Sequence, residues 1–344
     1  MAEDARFRVA LTGDFVDSAG KLYFEPAALA ALRARPEIAV SVLDTPAGTA
    51  LSAEVLATYD AVITKRSPIA AGALDVPNLR TIHISRNGVG VDHLDLGACA
   101  RAGILVTNTP DSVRRPIASA AMCLVLALAH RLLEKDRATR EHRWQDRQLY
   151  RGTGLGGRTL GVVGAGNIGA DLLRLAEPWD MVRLVAHPSR SAEAIASLGA
   201  EKVALDELLA RADFVVLCCP LNDRTHHMID ARALTLMRPD AYLVNVARGA
   251  IVDETALVAA LAEGRIAGAG LDVFDPEPPS PDNPLLRMTQ AVVTSHNLGF
   301  TDESNRLGNK LAAEAVLRVA AGAVPPNVVN RDVLDHPRIA HLHG

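Results

Sequence analysis

Apolar and polar positions follow two alternating patterns along almost the whole chain. Short apolar runs indicate strands, and the stretches between them repeat apolar residues at the spacing of a helix. In the first third of the chain the predicted strands are 8–11, 39–43, 61–64, 81–85 and 104–107. The predicted helices between them are 26–35, 53–59 and 94–101. Because strands that alternate with helices usually pair in parallel, this part predicts a parallel sheet covered on both faces.

The second half of the chain repeats this alternation after a linker rich in Gly and Arg at 150–158. A long helix is predicted before the linker, at 116–140, with Pro116 in its first turn, where a missing N–H costs nothing. After the linker the predicted strands are 159–163, 182–186, 214–218, 242–246, 267–271 and 291–294, with helices at 167–176 and 302–321. The pattern therefore predicts an α/β protein with two doubly wound domains.

Composition indicates the cellular compartment and the classes of partner that the protein can have. The 344 residues suit two domains, and 49% apolar but only 3% aromatic residues imply aliphatic cores. A net charge of −4 and a pI near 6.3 give no reason to expect nucleic acid or an anionic membrane as partner. The longest apolar stretch, 117–129, is shorter than the about 20 residues of a membrane span, and the start of the chain does not resemble a signal peptide. The four cysteines lack metal-ligand spacing, so we expect a cytoplasmic protein without a metal site.

One glycine-rich turn carries a specific chemical signal. GAGNIG at 164–169 lies between a predicted strand and a predicted helix. In that context Gly164 permits a tight turn, Gly166 lets backbone N–H groups approach a pyrophosphate, and Gly169 allows close packing of helix on strand. The phosphates then lie at the helix N-terminus, where free N–H groups favour negative charge. The turn predicts a Rossmann-like site for a nicotinamide dinucleotide, bound by Gly164, Gly166, Asn167, Ile168 and Gly169.

The residues after the next predicted strand, 182–186, indicate whether NAD or NADP binds. An Asp or Glu there would bind the ribose 2′-hydroxyl and favour NAD. The sequence instead has AHPSRS at 186–191, in which Ser189, Arg190 and Ser191 offer donors to a phosphate and His187 adds a further one. A guanidinium binds phosphate in bidentate fashion. We therefore favour NADP, and NAD stays open as the alternative in which Arg190 is a solvated loop residue.

Three further segments place polar residues at the ends of predicted strands. They are NVARGAIVD at 245–253, GAGLDVFDPEP at 268–278 and SHNLG at 295–299. The carboxyl ends of strands in an open α/β sheet line the ligand crevice, so we expect Arg248, Glu277 and His296 to lie there. A guanidinium can hold a substrate carboxylate or carbonyl, and an imidazole beside a carboxylate is suited to acid–base catalysis.

Together these motifs resemble the D-isomer-specific 2-hydroxyacid dehydrogenase family. The resemblance runs from Asp60 to Asn330 and also includes GVGVD at 88–92 and NTP at 108–110. It implies NAD(P)-dependent reduction of 2-oxo acids, or oxidation of D-2-hydroxy acids. It also implies a homodimer, and a Rossmann domain at 108–298 inserted in a discontinuous, flavodoxin-like substrate domain at 1–107 and 299–344.

The resemblance also implies roles for individual residues. His296 would be the acid–base catalyst, Glu277 would orient and tune it, and both Arg248 and His296 would contact the substrate. Further cofactor-binding positions implied are Pro220, Thr225, Val246, Ala247, Asp272 and Gly299. Further substrate-binding positions implied are Arg66 and, through backbone N–H groups, Asn87, Gly88 and Val89. The chain departs from residues common in the family at Arg114, Arg115, Ser119 and Asn297, which leaves the substrate open.

Several functions therefore stay open. The favoured substrates are glyoxylate, hydroxypyruvate or a branched 2-oxo acid. A formate or phosphite dehydrogenase would share the architecture, and so would a dinucleotide-sensing corepressor that binds peptides. A phosphoglycerate dehydrogenase with an added regulatory domain is disfavoured, because the chain ends soon after Asn330.

Overall fold

The structure is a computed structural model that describes residues 6–343. It divides into two compact units. Unit 1 comprises the residues up to 113 together with those from 301 onward, and unit 2 comprises 114–300. The boundaries expected from the sequence, 107/108 and 298/299, lie a few residues before these divisions.

The described residues form strands and helices in regular alternation. The strands are β1 (Phe7–Leu11), β2 (Ile38–Val42), β3 (Ala61–Thr64), β4 (His83–Arg86), β5 (Leu105–Thr107), β6 (Thr159–Val163), β7 (Val182–Ala186), β8 (Glu201–Lys202), β9 (Phe214–Leu217), β10 (Tyr242–Asn245), β11 (Gly268–Leu271) and β12 (Ala291–Val293). The α-helices are α1 (Pro26–Arg33), α2 (Ala53–Thr58), α3 (Leu96–Arg101), α4 (Pro110–Ala129), α5 (Leu132–Arg140), α6 (Asn167–Leu175), α7 (Ala192–Ala196), α8 (Leu205–Arg211), α9 (Ala231–Leu236), α10 (Glu254–Ala262) and α11 (Asp302–Ala320).

Unit 1 contains a parallel sheet in the order β2-β1-β3-β4-β5. This is the flavodoxin-like order, in which the direction of winding reverses between β1 and β3. The last long helix, α11, returns to this sheet: its Ala312 and Val316 pack with Val9, Leu11 and Ile63. The C-terminal part of the chain therefore completes the core that the N-terminal part begins.

Unit 2 contains a parallel sheet in the order β12-β11-β10-β9-β6-β7-β8. The winding reverses between β6 and β9, and ligands of open α/β sheets bind beyond the carboxyl ends of strands at such a reversal. Both faces are buried: Phe214 and Val216 belong to one core cluster, whereas Val215 and Leu217 belong to the other. This alternation explains why the strand reads as a continuous apolar run.

The prediction of one continuous helix at 116–140 is wrong. The segment forms two helices, α4 and α5, and Pro110 rather than Pro116 occupies the first turn. Pro116 lies inside α4, where its missing N–H removes one helical hydrogen bond. Arg131, with φ +50°, separates the two helices. Within residues 6–343, α4 is long and apolar enough to cross a membrane, but more than half of its apolar stretch is buried inside the protein.

Candidate active site

The glycine turn connects β6 to α6 in unit 2. Gly164 has φ +95°, a conformation that favours glycine, and a Cβ there would lie 2.8 Å from backbone atoms of Cys219. A Cβ on Gly169 would lie 2.1 Å from the carbonyl oxygen of Gly164. A Cβ on Gly166 would meet no atom within 4 Å. Two of the glycines are thus required by the fold itself, while the third faces open space at the start of a helix.

Because Gly164 and Gly169 are needed for the fold and Gly166 is not, folding and ligand binding at the turn can be tested separately. The open position at Gly166, together with the free N–H groups at the start of α6, fits the pyrophosphate of a dinucleotide. We expect Gly166→Ala to fold normally but to raise the Kd for a nicotinamide dinucleotide about tenfold, since its methyl group fills that space. Thermal unfolding and nucleotide titration measure the two effects separately.

Gly169→Ala is the matched control for that substitution. Its methyl group would clash with the backbone of the turn, so we expect a loss of roughly 1–3 kcal/mol of stability. A Gly166→Ala variant that binds the dinucleotide as well as the parent protein does would contradict the assignment of this space to the cofactor.

The loop after β7 is shaped by His187. Its Nδ1 accepts hydrogen bonds from the backbone N–H groups of Ser189 (3.3 Å) and Arg190 (3.1 Å). Burial, and then the positive charges of Arg190 and Lys202, lower the pKa of His187. The ring is therefore a neutral acceptor that folds the loop, with Nε2–H as its remaining donor. Ser191 is occupied differently, because its hydroxyl oxygen caps α7 by accepting from the N–H of Ala194 at 3.2 Å.

Arg248 follows β10 in a braced turn. The buried side chain of Asn245 accepts from the N–H of Ala247 at 3.0 Å and donates to the carbonyl oxygen of Arg248 at 2.8 Å. The next residue, Gly249, has no room for a side chain: a Cβ would lie 2.0 Å from the carbonyl carbon and oxygen of Phe274. The glycine therefore brings the turn that carries Arg248 directly against the segment that follows β11.

That segment carries Glu277, which contacts His296 from the loop after β12. Nδ1 of His296 lies 2.6 Å from Oε2 of Glu277, and Oε1 of Glu277 accepts from the N–H of Phe274 at 3.1 Å. Burial raises the pKa of Glu277, but the hydrogen bond and charge of His296, the Phe274 amide and the charge of Arg248 together hold it below its usual value. The side chains are 42% and 37% exposed, so the pair is ordered yet accessible to a ligand.

Asp272 holds the backbone around His296. The carboxylate is buried, and its Oδ1 accepts from the Thr294 hydroxyl (2.7 Å) and from the N–H groups of Asn297 (3.1 Å) and Leu298 (3.2 Å). His296 itself has φ +53°, which is uncommon outside glycine. The carboxylate that the family resemblance assigns to the cofactor thus also fixes the turn that presents the histidine.

The remaining cofactor-binding positions predicted from the sequence lie in the same unit. Thr225 closes its own loop: its hydroxyl donates to the carbonyl oxygen of Pro220 at 2.8 Å and accepts from the N–H of Asn222 at 2.8 Å. Val246 and Ala247 directly follow β10. Gly299 has a packing role, because a Cβ there would lie 2.2 Å from Cδ1 of Ile117. Val246, Ala247, Pro220 and Thr225 all follow strand ends, as ligand-binding loops of this architecture do.

The substrate-binding positions predicted at 87–89 lie in unit 1, after β4. The N–H of Asn87 donates to the carbonyl oxygen of Thr64 at 2.8 Å, and the N–H of Gly88 donates to the Thr109 hydroxyl at 2.7 Å. These two donors are engaged by the loop itself. For the N–H of Val89 no acceptor occurs among residues 6–343; binding of a substrate carboxylate at 87–89 stays a prediction.

Sequence reasoning missed a buried carboxylate that holds the loop with Arg66. Asp14 lies after β1, and its Oδ2 accepts from the N–H groups of Lys65 (2.9 Å) and Arg66 (3.0 Å) and from the hydroxyl of Ser67 (3.1 Å). Its other oxygen accepts from the N–H of Gly48 at 2.8 Å. Although burial acts to raise the pKa of Asp14, these hydrogen bonds hold it far below its usual value. The available signal was a carboxylate three residues beyond the end of a predicted strand.

In the part of the chain that the structure describes, no cluster of three or more His, Cys, Asp or Glu residues has the arrangement of a metal site. The thiols of Cys99, Cys123, Cys218 and Cys219 are all free.

Comparison with known proteins points to one family. Residues 122–297 match the family model described as D-isomer specific 2-hydroxyacid dehydrogenase, NAD binding domain. A glyoxylate reductase of Thermococcus onnurineus is 40% identical over 291 residues, which is 82% of this chain and 86% of that protein. Among solved structures, a glyoxylate reductase from Paecilomyes thermophila has a TM-score of 0.80 at 27% identity, covering 94% of this chain and 98% of that one. A D-lactate dehydrogenase from Aquifex aeolicus, complexed with NAD and lactic acid, has a TM-score of 0.79 at 26% identity, covering 91% and 96%.

Proposed function

This chain belongs to the D-isomer-specific 2-hydroxyacid dehydrogenase family, whose members are nicotinamide-dependent oxidoreductases, and we propose that it reduces small 2-oxo acids with NADPH. The observation that carries the proposal is the contact of 2.6 Å between His296 and Glu277, beside the braced turn of Arg248. Glyoxylate and hydroxypyruvate are the proposed substrates, supported by the 40% identity to a glyoxylate reductase.

The residues proposed to hold the cofactor lie at strand ends of unit 2. Gly164, Gly166, Asn167, Ile168 and Gly169 cradle the pyrophosphate, and Asp272 and Thr225 follow further strands of the same sheet. A nicotinamide bound there would supply the hydride for reduction and would accept it in oxidation. The open space at Gly166 supports this assignment, because phosphate oxygens need close access to backbone N–H groups there.

His296 is proposed to move the proton. Its Nδ1 faces the carboxylate of Glu277, so Nδ1 carries a hydrogen and Nε2 is the position that exchanges a proton with substrate. In reduction Nε2 donates to the oxygen that was the carbonyl, and in oxidation it accepts the proton of the hydroxyl. Glu277 balances the positive charge of the imidazolium and fixes the orientation of the ring.

Arg248 is proposed to bind the substrate carboxylate or the carbonyl oxygen. A guanidinium presents its donors in a fixed plane, which suits both the planar carboxylate and the developing negative charge on the oxygen. Bracing by Asn245 and the tight approach at Gly249 support a fixed position for this turn. Arg66 and the N–H of Val89 are proposed as further anion-binding groups.

The preference for NADP rests on the loop after β7. His187, Ser189 and Arg190 offer donors, and the hydrogen bonds to Nδ1 of His187 give the loop a defined shape. NAD is the alternative, and the solved relative with NAD bound is the reason to test both.

A spectrophotometric screen tests the proposal. We expect NADPH to be oxidised by glyoxylate or hydroxypyruvate, with kcat/KM for NADPH at least about tenfold above that for NADH, which corresponds to about 1.4 kcal/mol. Turnover of formate or phosphite but of no 2-oxo acid would contradict the proposed substrate class. A preference for NADH would contradict the cofactor assignment and leave the substrate assignment intact.

We also propose that the protein is a cytoplasmic homodimer. Unit 2 has an apolar groove of about 480 Å³ lined by Ser119, Met122, Cys123, Leu126, Ala127, His130, Leu132, Leu175 and Trp179. Trp144 and Leu149 of the same unit are 66% and 69% exposed. Exposed apolar surface of this kind marks interaction sites, and a second copy of the chain is the proposed occupant.

A further inference from the structure

Lys202 lies beside the loop that follows β7, although twelve residues separate it from Arg190 in the sequence. The short edge strand β8 pairs in parallel with β7, with Lys202 opposite Val185. Nζ of Lys202 donates to the carbonyl oxygen of Arg190 at 2.5 Å. This contact fixes the ammonium next to the loop without consuming its charge, since the carbonyl is neutral and an ammonium has three donors.

Two carboxylates lie near Lys202, and only that of Glu201 has an ion-pair partner of its own. Glu201, its neighbour on β8, is bound by both terminal nitrogens of Arg211, at 3.1 and 2.8 Å. Glu193 at the start of α7 has a lowered pKa, to which its own backbone, the Ser191 side chain and then the charge of Lys202 contribute. Within residues 6–343 neither Arg190 nor Lys202 forms an ion pair with a carboxylate.

The charge of the expected ligand group calls for more than one cation. A phosphate monoester carries roughly 1.5–2 negative charges at pH 7. Arg190 supplies one positive charge, and His187 is neutral in the loop. A guanidinium binds two oxygens in a plane, and an ammonium acts as a point charge that can meet a third oxygen. A single Glu193 at the edge of the loop reduces the positive potential without cancelling it.

We propose that Lys202 is a specificity residue of this site, which together with Arg190 binds the 2′-phosphate of NADP. The inference rests on the NADP preference proposed above and adds a residue from a different strand. It also assigns opposite effects to two neighbours: Lys202 strengthens phosphate binding, and Glu193 weakens it.

Calorimetric titration with two adenosine nucleotides tests this without any turnover. Adenosine 2′,5′-bisphosphate carries the group in question, and adenosine 5′-monophosphate is the matched probe without it. We expect Lys202→Gln to raise the Kd for the bisphosphate about fivefold, a magnitude typical of one exposed charge pair, and to leave the Kd for the monophosphate within about twofold. Lys202→Arg should retain most of the affinity, and Glu193→Gln should lower the Kd for the bisphosphate.

Lys135→Gln is the control for loss of a cation elsewhere in the same unit. Lys135 is exposed on α5, so this variant should bind both nucleotides as the parent does. If the parent protein does not prefer the bisphosphate, the NADP assignment is wrong and the inference falls with it. If the parent prefers it and Arg190→Gln abolishes the preference while Lys202→Gln does not change it, the NADP assignment stands and the role of Lys202 is overturned.

Discussion

His296→Asn should lower kcat for reduction of a 2-oxo acid about 10³-fold, because general acid–base catalysis contributes roughly 10²–10⁴-fold. Asn is the appropriate replacement at this position. His296 has φ +53°, and Asn adopts the left-handed region more readily than other residues with a side chain. The backbone held by Asp272 should therefore stay in place, so the loss reports the missing proton donor. Stopped-flow measurement of NADPH oxidation at saturating substrate gives the effect directly.

Three controls separate chemistry from structure in that experiment. NADPH binding should change by less than about twofold, since a residue that acts only on the proton leaves cofactor affinity intact. His296→Ala places a less suitable residue at the same φ and should in addition lower the unfolding temperature. Glu277→Gln should lower kcat by a smaller factor, because the ring keeps a neutral hydrogen-bond partner while losing the balancing charge. A His296→Asn variant with unchanged kcat would remove His296 from the proposed mechanism.

Asp14→Asn should destabilise unit 1 by about 3 kcal/mol, because an amide cannot accept from all the buried donors that now face the carboxylate. The variant presents an NH₂ group to donors such as the backbone N–H groups of Lys65 and Arg66 and the hydroxyl of Ser67. Calorimetric unfolding measures the loss. NADPH binding should be unchanged, since the glycine turn belongs to the other compact unit.

The effect of Asp14 should depend on pH with a definite sign. The hydrogen bonds hold the pKa of Asp14 well below its usual value of 3.8. Its contribution to stability is therefore fully present above that usual value and is lost as the pH falls towards the lowered one. The difference in unfolding free energy between the parent and Asp14→Asn should shrink below about pH 4. Asp17→Asn, a change in an exposed turn where the carboxylate accepts from Ala19 and Lys21, should cost less than about 1 kcal/mol; equal losses for the two variants would contradict the special role of Asp14.

The elements that the sequence predicted well are those whose burial leaves a pattern in their own residues. β9 is buried on both faces and reads as an unbroken apolar run, and the turn at 164–169 needs glycines for reasons that are visible locally. The proximity of Glu277 and His296 was also predicted, because both follow strand ends in a parallel sheet. Each of these inferences uses only the residues of one segment and a general rule for the architecture.

The features that escaped prediction depend on contacts distant in sequence. β8 has two exposed polar residues, so no apolar pattern marks it, and the contact of Lys202 with Arg190 follows from sheet pairing alone. The part played by Asp14 depends on the loop after β3, about fifty residues away in the chain. The break at Arg131 lies in a region where apolar residues continue at helical spacing, so periodicity alone joins α4 to α5.

The strand order of unit 2 has a consequence for redesign of the protein. Arg248, Glu277 and His296 follow β10, β11 and β12 on one flank of the sheet, whereas Arg190 and Lys202 belong to β7 and β8 on the opposite flank. Residues that are far apart and share no partners contribute additively to free energy. On the proposed assignments, we therefore expect exchanges on the β7–β8 flank to alter the choice of cofactor with little change in the rate of the chemical step. Exchanges at His296 and Glu277 should change that rate with little effect on the choice of cofactor.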